Sequence, residues 1–138
     1  MTDYSIEDEI LSLVEETKVI YNLEERTFQF AVAVRNFIKK TPKTLTNIEY
    51  CRQLARSSSS VGANYIEANE SLSTKDFYYR IKVCKKESKE SQFFLRLVDI
   101  ESDQQLMFEQ SALIKESHEF VLIFSAILKK QDKSEQKS

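Results

Sequence analysis

Gly62 and Pro42 are the only glycine and the only proline in 138 residues, and that scarcity constrains the fold more than any motif does. Glycine reaches positive φ without strain and proline presets φ at about −65°, so together they build most tight turns. A chain nearly without them has few turns to spend. It predicts long helices joined by a small number of connections, and it argues against all-β and α/β architectures. At this length, with 41% hydrophobic and 30% charged residues, one domain with a sizeable core is expected.

Apolar spacing supports that reading. Leu23, Phe30, Val34 and Phe37 mark a first helix over about residues 23–40, which stops near Thr41-Pro42 because the residue before proline is driven out of helical geometry. Thr46 followed by Glu49 has the pattern of a capping box for a second helix. The inner face of that helix would use Ile48, Cys51, Leu54, Ala55, Ser58, Val61, Gly62, Tyr65 and Ala68. Ser73 with Asp76 repeats the capping pattern, and Phe77, Ile81, Cys84, Ser88, Ser91, Leu95 and Val98 then alternate steps of four and three, the signature of a bundle seam. A fourth helix is expected after Ser102, paired with Gln105. It carries two stripes, Leu106, Leu113, Phe120, Phe124, Ile127 and Met107, Ile114, Val121, Leu128.

These readings divide the chain into a four-helix bundle over 23–131, an acidic N-terminal leader over 1–22 and a frayed tail over 132–138. Ile6, Ile10, Leu13 and Ile20 keep helical phase in the leader, which reads either as an additional helix or as a continuation of the first. Charge is unevenly shared. Residues 1–25 hold eight acids and one lysine, a balance of −7, while residues 26–138 hold fourteen acids and nineteen Lys/Arg, a balance of +5. The near-neutral total disfavours a strong non-specific nucleic-acid binder but leaves room for a local basic face.

Cofactor chemistry is disfavoured by what is missing. A phosphate-cradling loop needs several glycines, and His118 is the single histidine, so neither nucleotide fingerprints nor His-rich metal sites are signalled. Cys51 and Cys84 have no CxxC spacing and read as buried core thiols. No catalytic residue, cofactor or metal is assigned. The acidic start is unlike a secretory signal, and no apolar run approaches the roughly 18 residues that span a bilayer, so a cytoplasmic location is expected.

The stretch Arg52–Ala68 is the most distinctive. Ser57 to Ser60, Gly62 and Ala63 remove bulk from a whole turn, while Arg52, Arg56, Asn64 and Glu67 recur at helical spacing. It reads as a close packing seam with a polar network. Pairing of Arg52 or Arg56 with Glu87 or Glu90 on the third helix would fix register, and a ligand-binding role for the same residues is the alternative. On the third helix Lys75, Lys82, Lys89 and Arg96 fall seven apart on an outward line, with Tyr79, Phe93 and Phe94 beside it. Such a line fits a solvated face, a subunit contact or an RNA- or DNA-binding surface.

Arg52-Gln-Leu-x-Arg-Ser-x-x-Ser-Val-Gly-Ala-Asn-Tyr-x-Glu-Ala68, followed by Ser73-x-Lys-Asp-Phe77 and Lys86-Glu-x-x-Glu90, resembles the four-helix-bundle proteins known as 23S rRNA intervening-sequence proteins. The resemblance covers roughly residues 22–130. It implies an up-down-up-down bundle that assembles into a homopentameric ring, with no established enzymatic activity. Arg52, Arg56, Ser57, Ser60, Gly62, Asn64, Glu67, Asp76, Glu87 and Glu90 occupy the family's characteristic positions. A related branch, the accessory proteins of diversity-generating retroelements, works with a reverse transcriptase and nucleic acid and is more basic than this chain. Phe93-Phe94 stands where the family has an aromatic pair ending in tryptophan, and the acidic leader is an addition.

Overall fold

The computed structural model describes the backbone of residues 3–137 and the side chains of Ile6, Ile10 and residues 22–133. Four helices follow one another: α1 Asp3–Lys40, α2 Leu45–Asn69, α3 Thr74–Leu97 and α4 Gln104–Lys137. Short connections make each helix antiparallel to the one before it, and α4 returns to pack beside α1. The fold is an all-α four-helix bundle.

The leader is no separate element. Residues 3–22 are the first part of α1, which runs for 38 residues without a break. Nothing in the Asn22 to Arg26 stretch is a helix breaker, and Glu and Arg propagate a helix well, so a polar interruption of the apolar face does not end it. The same reasoning holds at the other end, where α4 continues to Lys137 across the expected frayed tail.

Two caps differ from expectation. Thr44, not Thr46, caps α2 by accepting from the Asn47 N–H, so the helix begins before the anticipated box. Asp103, not Ser102, accepts from the Leu106 N–H at the start of α4, because Glu101 and Ser102 sit at φ of 53° and 63° in the turn itself. Ser73 caps α3 through the Asp76 N–H as its spacing predicts.

The core is built from the anticipated periodic positions. Leu23, Phe30, Val34 and Phe37 of α1, Leu54, Val61 and Tyr65 of α2, Ile81, Cys84 and Leu95 of α3, and Phe120 and Phe124 of α4 are all buried. Phe30 meets Phe120 edge to face at 5.3 Å, and Phe124 lies 6.2 Å from Tyr65, linking three helices through aromatic rings. Ile48, Ala55 and Met107 face outward instead, because each lies at the margin of its helix's buried arc. Among the described residues no helix is long and apolar enough to cross a membrane.

Candidate functional site

Small side chains bring α2 and α3 together. Ser57, Ser58, Ser88 and Ser91 are all buried, and each satisfies its hydroxyl on a carbonyl of its own helix, which removes the cost of burying it. Across the seam the Ser57 and Ser91 Oγ atoms stand 3.0 Å apart. One turn on, the Cys84 thiol lies 3.5 Å from the Val61 carbonyl. Gly62 serves the opposite neighbour: a Cβ there would lie 3.0 Å from Thr27 Oγ1 on α1.

Outside this seam Arg56 reaches from α2 to α3, where it pairs with Glu87 at 3.2 Å and with Glu90. Glu87 is buried, so the arginine neutralises a carboxylate that water scarcely reaches. The hydrogen bond to Glu90, aided by the two carboxylate charges, raises the Arg56 pKa above its ordinary value and outweighs desolvation. Asn64 donates to the Ser60 carbonyl and accepts from Arg80 at 3.0 Å, a second link between the same helices that sequence spacing alone did not reveal.

The polar residues that the sequence singles out fall into separate groups. Arg56, Glu87 and Glu90 form a cluster, Ser57 joins the hydroxyl seam, and Ser60 and Asn64 belong to the Arg80 link. Among the described residues Arg52 pairs only within α2, with Glu49 at 3.7 Å. Glu67 is exposed and contributes its backbone carbonyl to Ser71, while Asp76 sits in the first turn of α3, where a negative charge suits the helix dipole.

Beside the Arg56 cluster lies an open depression of about 510 Å³ lined by Gln53, Arg56, Lys89, Glu90, Phe93 and Phe94. Phe93 is 57% exposed and contacts Phe94 edge to face at 5.3 Å, whereas Phe94 packs partly on the core. Tyr79, about four turns of helix away on α3, is 61% exposed. Lys75, Lys82, Lys89 and Arg96 are all exposed, and none makes an ion pair or hydrogen bond among the described residues. The described residues hold no group of three or more His, Cys, Asp or Glu side chains suited to a metal ion.

The model of the 23S rRNA-intervening sequence protein family matches residues 21–123, which takes in the seam, the Arg56 cluster and the aromatic pair. The chain belongs to this family. In structure, the chain is similar to a crystal structure from Bacteroides thetaiotaomicron described as a protein with unknown function from the S23 ribosomal protein family. The match has a TM-score of 0.66 at 24% identity and covers 77% of this chain and 97% of that one, a likeness of fold. A comparison with curated proteins returns no match. The family match begins at residue 21, so it leaves out the part of α1 that carries the acidic leader.

Proposed function

We propose that this chain is a non-enzymatic, self-assembling bundle, a scaffold or accessory factor whose working form is a homopentameric ring in the cytoplasm. The observation that carries the reading is apolar surface left over once the bundle has closed. Tyr79 and Phe93 on α3 and Phe108 on α4 are each more than half exposed, although the interior is already filled by Phe30, Phe120 and Phe124. Aromatic side chains at the surface are the usual anchors of subunit contacts. The Arg56 cluster supports the same view, since its guanidinium is already held by two carboxylates and it sits in a helix-pairing role.

Replacing Tyr79 and Phe93 by aspartate tests this without disturbing the core, because Phe94 and not Phe93 packs inward. In sedimentation velocity the wild type should run as an assembly and the double variant as folded single chains. An unchanged mass would remove these residues from the interface.

A second reading is favoured by the cation line. Lys75, Lys82, Lys89 and Arg96 present charges that are unpaired among the described residues beside exposed aromatics, an arrangement that can neutralise phosphates and stack bases. Filter binding of RNA and single-stranded DNA across a salt series distinguishes it. Phosphate contacts require affinity that falls steeply with salt, and no retention at low salt ends this reading.

A further inference from the structure

Two surface features of the chain are complementary to each other. The first is a groove of about 520 Å³ between α1 and α2, with Phe28, Ala31, Val32 and Ile38 along its apolar wall and Arg35 and Lys39 as its only charged lining residues. Phe28 is 59% exposed there. The second is the leader part of α1, which carries six acids over residues 3–21 against Lys18 alone and places Ile6, Ile10, Leu13 and Ile20 at helical intervals. Ile6 and Ile10 are 58% and 53% exposed. An acidic helix with Ile6 and Ile10 uncovered matches an apolar trough whose charged lining residues are both cationic.

The match cannot be made within one chain. Asn69, the last residue of α2, donates to Glu24 at 3.1 Å, so everything on α1 before that contact extends past the end of α2. Ile10 and Phe28 belong to one uninterrupted helix and are 18 positions apart on it. That separation is about 27 Å along the axis, and a helix cannot lie beside itself.

We propose that the leader helix of one copy docks in the α1–α2 groove of a second copy. This rests on the self-assembly proposed above and specifies surfaces that meet in it. The contact is heterologous: each copy gives a leader and offers a groove, the arrangement that closes rings when the rotation between neighbours allows.

The test uses full-length chains in two parts. In the first, one preparation carries Ile10→Cys and another, with a mass tag, carries Ala31→Cys; the native Cys51 and Cys84 are buried and stay out of the reaction. Mild oxidation of the mixture should give a tagged–untagged disulfide dimer on a non-reducing gel. In the second, Ile6→Asp with Ile10→Asp, and separately Arg35→Glu with Lys39→Glu, should each weaken assembly at least tenfold in sedimentation with unchanged helical circular dichroism. A wild type that assembles, gives no mixed dimer and loses no mass in either variant overturns the docking and leaves the self-assembly standing. Single wild-type chains at micromolar concentration overturn both. A disulfide formed within one chain carrying both cysteines at high dilution overturns the requirement for a second copy.

Discussion

Asn47 near the start of α2 and Asp99 beyond the end of α3 exchange two hydrogen bonds through one side-chain amide. Its Oδ1 accepts from the Asp99 N–H at 2.9 Å and its Nδ2 donates to the Asp99 carbonyl at 2.8 Å and to the Pro42 carbonyl at 2.9 Å. The amide is buried, so it ties the α1–α2 connection to the α3–α4 connection where water cannot substitute. Asn47→Ala leaves three backbone groups without that partner and should cost about 2–4 kcal/mol in urea unfolding. Asn47→Asp should cost more at neutral pH, because a buried carboxylate then faces two carbonyls. An alanine variant within about 0.5 kcal/mol of wild type would show that the connections are held by other contacts.

Gly62→Ala sets helix propensity against packing. Alanine gains up to about 1 kcal/mol in a helix interior, but its Cβ would stand 3.0 Å from Thr27 Oγ1 and 3.3 Å from Thr27 Cβ. Thr27 is fully buried and its hydroxyl is fixed on the Glu24 carbonyl, so it has little room to yield. We expect a net loss of about 1–2 kcal/mol. Adding Thr27→Ala should recover part of it, and a double-mutant cycle with no coupling would refute the close approach.

Arg56 and Glu87 should couple by about 0.5–1.5 kcal/mol in a double-mutant cycle, since the arginine is half exposed and its partner is buried. Coupling to Glu90 should be weaker and more easily screened. Chemical unfolding repeated at about 1 M salt provides the check, because an exposed pair loses most of its strength there.

Burial pushes the Cys84 thiol up from an ordinary 9.0 to about 12, so it should resist thiol reagents at pH 8 until the chain unfolds. The linkage follows in sign. Above pH 9 the unfolded chain releases this proton and the native state keeps it, so the stabilisation present below pH 9 is lost as pH rises toward 12. Burial raises the Tyr65 phenol as well, and that acts in the same direction. Stability that rises between pH 9 and 11 would contradict the buried placement of the thiol.

Helix number, helix faces and most core positions were legible in the sequence because local periodicity and the scarcity of Gly and Pro act residue by residue. Leu23, Phe30, Val34, Ile81, Leu95, Phe120 and Phe124 are buried where their spacing places them. Thr46 and Ser102 satisfied capping patterns yet do not cap, since Thr44, two positions earlier, and Asp103, one position later, take the cap position and accept from the Asn47 and Leu106 N–H groups instead. The candidate site was legible only in part. That α2 and α3 approach closely could be read from the serines, and that arginine on one could meet glutamate on the other from charge spacing.

Which arginine does so depends on rotation and axial offset between helices, quantities with no local sequence signal. Arg56 faces Glu87 and Glu90, while Arg52, one turn earlier, pairs with Glu49 on its own helix. Asn64 with Arg80 and Asn47 with Asp99 are contacts of the same kind, and only the tertiary structure decided them. The sequence by itself determined four amphipathic helices, because hydrogen bonds four residues apart and a 3.6-residue repeat are properties of a single strand of chain. How those helices lie against one another, which polar groups are left to find partners and which apolar faces stay uncovered are set by packing between distant segments.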